Sequence, residues 1–387
     1  MKHQHTILTG ATGTLGLELL PRLIRSNPRQ KITLLLRGKS SAGFRQRCAR
    51  IRQYLQTYWP EIELSSVRPV RGDLTEPNLG LSMFTYRALQ NQATQIIHSA
   101  ALTQLNPPWN RAREINVGGT RKLIEFAIGC PHLEQFAYIS TAFVAGDRMG
   151  NITEDELLCG QNFLNTYQRS KCAAELLVRT AKDRLPITIF RPSIIVGDST
   201  DGHLAVLDNI YLPLAHIALG QLREIPGSGQ ARLDLVPVDY VAEAMVRLLQ
   251  SQTCCGKTYH LTAGPGLAVT ARTLVETAIY CAGRDYLNKP RFAEDLFPEG
   301  TGGKNPKLED PQLHRLAVFF AHLGLRQKFD DTNTRRDLGC LATWCPRPEN
   351  YLPNVFAFCR STQWGKELTW ATPRSYTGEE ENHERAS

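Results

Sequence analysis

The sequence predicts a doubly wound α/β fold, a parallel sheet covered by helices on both faces, with a smaller C-terminal region packed on it. Three features predict it. Short β-rich runs alternate with helical patterns across residues 5–197. The strands are almost continuously apolar, as strands buried on both faces are. A glycine-rich turn, TGATGTLG, joins the first strand to the first helix, as in Rossmann-type folds.

HTILTG (5–10) is expected as the first strand and LGLELLPRLIRSN (15–27) as the first helix. KITLLLRG (31–38) follows as a strand and FRQRCARIRQYLQTYW (44–59) as a long basic helix. VRPVRGDLT (67–75) and TQIIHSAA (94–101) supply the third and fourth strands, and 113–128 a helix. QFAYISTAFV (135–144) is the fifth strand and ITIFRPSIIVG (187–197) the sixth. Between them lies a helix over about 162–182, with Cys172, Leu176 and Leu177 as its apolar side. Beyond 197 the pattern loosens: an apolar helix near 210–222, an amphipathic helix over 236–250, a strand over 257–264 and an irregular insert over 283–312. A polar tail begins near residue 371. These elements suggest a nucleotide-binding domain over 1–197, to which about 236–264 return, and a substrate-binding region over most of 198–370.

The composition is that of a globular protein, with 42% hydrophobic and 21% charged residues in 387. The formal charge of +8 is spread without a long basic run, so nucleic acid is not the expected partner. An anionic cofactor or substrate suits that field better. No apolar run reaches the length of a membrane span, and no signal peptide is read at the N-terminus. The ten cysteines form no C-x-x-C pair and no zinc spacing. They read as free thiols in a reducing, cytoplasmic setting.

Gly10, Gly13 and Gly16 sit where a turn must let backbone approach a pyrophosphate, at a helix N-terminus that favours negative charge. Thr12, Thr14 and Leu15 belong to the same loop. At the end of the second strand, where an acid would bind a ribose 2′-hydroxyl, the chain carries Arg37, with Lys39 close by. An arginine there suits a 2′-phosphate, so NADP(H) is expected over NAD(H). Lys39 reads equally as a solvated lysine. Asp73, followed by Leu74, ends the third strand; its carboxylate suits an adenine amino group or a turn cap. Ala100 and Ala101 end the fourth strand and leave room for a cofactor. His98, just before them, reads as a core histidine.

NTYQRSK places Tyr167 and Lys171 one helical turn apart on one face. Together with the glycine loop, YIST and RPSIIVG, in this order, it makes residues 4–280 resemble an extended short-chain dehydrogenase/reductase. GDLTEPNLGLS, HSAALTQLNPPWNRAREINVGGTRKLIEFA, YISTAFVAG and LVPVDYVAEAM further resemble the branch holding fatty acyl-CoA reductases and the terminal thioester reductase domains of polyketide and nonribosomal peptide synthases.

The resemblance implies roles residue by residue. Tyr167 matches the catalytic tyrosine, Lys171 its lysine and Thr141 the third hydroxyl, with Ser140 as the neighbouring candidate. Asn116 matches an asparagine that supports the site, and Pro192, Ser193 and Ile194 a segment lying along the nicotinamide. The implied activity is NADPH-dependent reduction of an acyl thioester to an aldehyde, with a second hydride giving an alcohol. The thioester is carried by coenzyme A or by an acyl or peptidyl carrier protein. In that chemistry Tyr167 is the proton donor and the Lys171 ammonium eases its ionisation.

Other readings share the scaffold: a ketone or hydroxysteroid-type oxidoreductase, a sugar-nucleotide epimerase, or an NADP(H)-binding regulator without activity. The helix near 210–222 reads as an acyl channel wall or as packing. The basic 44–59 helix reads as a carrier contact or as a solvated face.

Overall fold

A computed structural model describes residues 4–264, 266–283, 289–293, 316, 318–339 and 345–368. Seven parallel strands form the main sheet: β1 (His5–Thr9), β2 (Lys31–Leu36), β3 (Val67–Arg71), β4 (Gln95–His98), β5 (Gln135–Ile139), β6 (Ile187–Pro192) and β7 (Thr258–Leu261). Their order is β7-β6-β5-β4-β1-β2-β3. The order reverses between β1 and β4, and a crevice opens there beyond the carboxyl ends of the strands.

Side-chain alternation along each strand builds two cores. Leu8, Ile97 and Ala137 face one side, with α1 (Thr14–Ser26) and α7 (Val238–Gln250). Ile7, Ile96 and Phe136 face the other, with α4 (Gly119–Ile128) and α5 (Thr166–Thr180). Burying one such side chain contributes about 1.5–3 kcal/mol. Further helices among the described residues include α2 (Ser41–Tyr58), α3 (Met83–Gln92), α6 (Tyr211–Ala218), α8 (Ala271–Cys281) and α9 (Pro348–Ser361). Sequence periodicity alone assigned α3, α8 and α9 no place.

Several elements end earlier than the sequence suggested. β5 stops at Ile139, because Thr141 caps a short 3-10 turn over Ala142–Ala145. The sixth strand breaks at Ser193. Its backbone N–H still reaches Leu261, but Ile194 bonds Asp234 instead, and Ile194–Val196 pairs with Leu235–Pro237. The apolar segment after 210 is helical only to Ala218, and Gly220, at φ +70°, turns it away. On α5 the expected apolar side holds in part: Cys172 is buried and Leu177 packs against the core, but Leu176 is 39% exposed, and Gln168, Ser170, Lys171 and Glu175 are buried as well.

Most of the 283–312 insert, the tail beyond 371 and Cys340 lie outside the described residues. Among the described residues all cysteines are free, and Cys172 is buried. No helix among them is long and apolar enough to cross a membrane.

Candidate active site

The glycine loop is closed by contacts that only glycine permits. Gly10 has φ +76°, and a Cβ on it would lie 2.6 Å from Ala100 N. A Cβ on Gly16 would lie 2.2 Å from Gly10 O. The loop therefore packs on the exit of β4, where Ala100 N also donates to Thr9 Oγ1 at 3.2 Å. Gly13 caps α1 and supplies no side-chain partner, so the amides of the first turn, including those of Thr14 and Leu15, face the crevice unaided. The Leu15 side chain itself joins the core. A loop this tight, with open helix amides, fits a dinucleotide pyrophosphate.

Arg37 and Lys39 are exposed beyond β2. One further arginine meets the backbone beside them. Arg71, opposite Leu36 on β3, donates Nε to Gly38 O at 2.8 Å and Nη2 to Lys39 O at 3.2 Å. Arg47 on α2 donates to Thr12 Oγ1 at 3.2 Å. Arg50 on the same helix reaches Ala205 O at 3.3 Å. The basic helix is thus wedged between the glycine loop and the segment after β6, with Arg47 and Arg50 turned inward. Its exposed arginines include Arg45 and Arg52.

Asp73 Oδ1 accepts from Thr75 N (2.9 Å) and Thr75 Oγ1 (2.8 Å), which is the turn-capping arrangement. Leu74 packs against Gly119 of α4. His98 is buried between Thr9 and Thr120, and burial, with the Lys171 charge, drives its pKa down to about 3. It is a neutral core histidine.

Asn165 caps α5 by accepting from Gln168 N at 2.9 Å, and Tyr167 N donates to Leu105 O at 2.9 Å. Three influences act on the Tyr167 hydroxyl: burial raises its pKa, a hydrogen bond with Thr141 lowers it, and the Asp208 charge raises it, leaving it at about 12. Thr141 Oγ1 also lies 3.4 Å from Pro192 O, joining the β5 and β6 ends at the crevice. Lys171 departs from the expected arrangement. Its Nζ donates to Ile139 O at 2.6 Å and sits 4.4 Å from the centre of the Tyr138 ring. The ammonium is thereby held by β5, and it is not among the groups acting on Tyr167. Burial lowers its pKa to about 7, with Glu175 opposing.

Asn116 lies in a π-helical turn, Arg113–Gly118, and is 2% exposed. It accepts from Leu102 N (2.7 Å) and donates to Leu102 O (3.1 Å) and Ser170 Oγ (2.8 Å). One side chain thus ties the β4 exit to α5. Ser140 turns away from the crevice: its hydroxyl donates to Glu175 Oε2 at 2.6 Å. Ser193 donates to Asp234 Oδ1 at 2.5 Å.

Sequence reasoning overlooked the ion pair beneath this site. Arg191 on β6 and Glu175 on α5 are 1% and 0% exposed. They form a two-pronged pair, Nε–Oε2 at 3.0 Å and Nη2–Oε1 at 2.7 Å. A signal existed: an arginine inside an apolar strand requires a buried partner, and Glu175 lies one turn after Lys171.

The comparisons with known proteins agree with this architecture. The NAD-binding family model described as male sterility protein matches residues 8–245, more than half of the chain. A linear gramicidin synthase of Brevibacillus parabrevis is 31% identical over 267 residues, 67% of this chain and 5% of that one. A fatty acyl-CoA reductase of Drosophila melanogaster is 28% identical over 283 residues, 63% of this chain and 54% of that one. The chain therefore spans about half or less of the length of these relatives. The crystal structure of the terminal R domain from the myxalamid PKS-NRPS pathway superposes with a TM-score of 0.77 at 30% identity, covering 94% of this chain and 92% of that one. The chain belongs to the male sterility protein family, the thioester reductase and fatty acyl-CoA reductase branch of the extended short-chain dehydrogenases/reductases.

Proposed function

We propose that the protein reduces an acyl thioester to an aldehyde with NADPH, and that it can carry the aldehyde on to the alcohol. The observation that carries this reading is the meeting of Thr141 and Tyr167 at the mouth of the crevice, where Thr141 lowers the pKa of the Tyr167 hydroxyl, with Lys171 one turn further along α5. Pro192, Ser193 and Ile194 would hold the nicotinamide, which would supply the hydride. Negative charge then grows on the carbonyl oxygen, and Tyr167 donates its proton there. Thr141 Oγ1 offers that oxygen a second donor. Lys171, whose Nζ donates to Ile139 O, would hold the nicotinamide ribose from its place one turn along α5. The resulting hemithioacetal collapses to aldehyde and thiol, so no cysteine nucleophile is needed.

The preference for NADPH rests on Arg37 and Lys39, with Arg71 bracing their backbone, where a 2′-phosphate would lie. The pyrophosphate would be held by the Gly10–Gly16 loop. Ala100, Ala101 and Ile194 would line the ribose and nicotinamide, with Asn116 bracing the site through Leu102 and Ser170, and Asp73 and Leu74 would line the adenine. The acyl carrier is coenzyme A or a carrier protein, and the exposed arginines of α2 suit an acidic carrier.

The test is incubation with NADPH and a panel of acyl-CoA, acyl-carrier and ketone substrates, following nicotinamide absorbance and released thiol. Thiol release coupled to NADPH oxidation is expected; oxidation with ketones alone would overturn the reading. Tyr167→Phe is expected to lower turnover by about 100-fold or more, as loss of a general acid does, with NADPH binding retained.

A further inference from the structure

Glu175 is placed where three functional segments meet. It lies on α5 one helical turn past Lys171 and two past Tyr167, and it is 0% exposed. Its Oε2 accepts from Ser140 Oγ at 2.6 Å and from Arg191 Nε at 3.0 Å. Its Oε1 accepts from Arg191 Nη2 at 2.7 Å and from Arg179 Nε at 3.0 Å. Ser140 directly precedes Thr141 beyond β5, and Arg191 directly precedes Pro192 at the end of β6. One carboxylate therefore joins the helix that carries Tyr167 to both strand ends that border the crevice.

The strand side of this junction is fixed. Arg191 Nη2 also donates to Glu156 O at 2.6 Å, and Nη1 reaches Glu154 O at 3.4 Å and His260 Nε2 at 3.2 Å. His260 Nδ1 lies 2.6 Å from Asp330 O and carries the ring proton, so Nε2 accepts. Arg191 is thus held by β7 and the 154–156 segment as well as by Glu175.

The Glu175–Arg191 pair is complete without Ser140, because guanidinium N–H groups already occupy both carboxylate oxygens. The Ser140 bond, short and charge-assisted, supplies nothing that the buried charges need. What it adds is a tie between α5 and the residue next to Thr141. Thr141 has only long contacts of its own at Oγ1: Pro192 O at 3.4 Å and Phe143 N at 3.3 Å. Contacts of that length fix a hydroxyl loosely.

We infer that Ser140 is a positioning residue: through Glu175 it holds the Thr141 hydroxyl in register with Tyr167 on α5. Ser140 then serves turnover without touching cofactor or substrate. The inference rests on the reading of Thr141 and Tyr167 as donors to the substrate carbonyl.

A double-variant cycle in the full chain tests it, with NADPH and the octanoyl thioester of N-acetylcysteamine. Thr141→Ala is expected to lower kcat by about 100-fold, as loss of a donor to a developing oxyanion does. Ser140→Ala is expected to lower kcat by about tenfold, with KM for the thioester and the NADPH dissociation constant changed by less than about threefold. Its melting temperature should stay close to that of the unmodified protein, because Arg191 Nε still occupies Glu175 Oε2. In the Thr141→Ala background, Ser140→Ala should have no further effect, since it acts through that hydroxyl. An unchanged kcat in Ser140→Ala, or losses that multiply in the double variant, would overturn the inference while the reading of the site stands. If Thr141→Ala leaves kcat unchanged, or the thioester is not reduced at all, that reading fails. Crystal structures with NADPH then decide the inference separately: a Thr141 hydroxyl displaced from Tyr167 in Ser140→Ala sustains it, and one unmoved refutes it.

Discussion

His203 Nε2 lies 3.2 Å from Glu18 Oε1, joining the loop after β6 to the helix that starts at the glycine loop. Both residues are buried. Tyr54 and Arg22 also bond Glu18, Asp201 holds His203 Nδ1 at 2.6 Å, and the Tyr58 ring stacks on the imidazole at 4.0 Å. The one contact makes the placement of the later loop depend on the cofactor helix. It also makes stability depend on pH.

Burial opposes the charge on His203, but Asp201 and Glu18 outweigh it and raise its pKa to about 9. A raised histidine pKa stabilises the fold fully below its ordinary value near 6.5, and that contribution is lost as pH rises through about 9. For Glu18, burial is likewise outweighed, chiefly by His203 and Arg22, and its pKa falls to about 2. Its contribution is present above about 4.5 and lost as pH falls through about 2. Thermal unfolding should therefore show stability declining between pH 6.5 and 9, by an amount on the order of 2–3 kcal/mol. His203→Gln should flatten that slope. A slope equally steep in the variant would remove His203 as its source.

The Glu175–Arg191 pair predicts a large stability effect. Burial disfavours the Glu175 charge, but Arg191 and Arg179 more than offset this and hold its carboxyl below the usual range. Glu175→Ala leaves the Arg191 guanidinium buried with His260 Nε2 and carbonyl oxygens as its remaining partners. The expected loss is about 3–5 kcal/mol in denaturant unfolding. Glu175→Leu combined with Arg191→Met should recover most of it, because removing both charges leaves none uncompensated. A double variant no more stable than Glu175→Ala would show that packing, and not charge, decides the loss.

These two pairs also mark what the sequence conceals. Strand–helix alternation and the apolar runs were legible because they follow from period and composition, and so were the glycine loop and the Tyr167–Lys171 spacing. The partners of buried charges were not. Glu18 sits inside LGLELLPRLI and looks like a surface residue until α1 is laid against α2 and the 198–208 loop. Leu176 looks like core, yet it is exposed, because the buried face of α5 is occupied by Lys171 and Glu175, each compensated by a partner from a strand. The direction of the Lys171 ammonium, toward Ile139 O, depends on tertiary placement that no local spacing encodes.

Asn116 predicts a separation of effects. It bridges Leu102 and Ser170, and Ser170 Oγ in turn donates to Tyr167 O at 2.9 Å. Asn116→Ala removes the tie between the β4 exit and the start of α5. Turnover should fall by about tenfold or more, as misplacement of a reacting group does. The pyrophosphate loop is untouched, so the NADPH dissociation constant should change by less than about threefold. Equal losses in turnover and in NADPH affinity would assign Asn116 to cofactor binding instead.

Cofactor choice offers the most direct test at the far end of the crevice. Arg37 is exposed beyond β2, and Arg71 braces the Gly38–Lys39 backbone beside it. A 2′-phosphate there would meet one exposed guanidinium and a backbone held in place by another. A charge-assisted contact of this kind is worth about 1.5–3 kcal/mol, roughly a ten- to hundredfold factor in the preference. Arg37→Ala should reduce the ratio of kcat/KM for NADPH to that for NADH by about that factor, mainly through the KM for NADPH. Arg71→Ala should produce a smaller shift of the same sign, since it acts through the loop. The NADPH constant should also weaken with added salt more steeply than the NADH constant, because only one of the two carries the extra charge. A ratio unchanged in Arg37→Ala, or a salt dependence identical for the two cofactors, would exclude this end of β2 as the determinant.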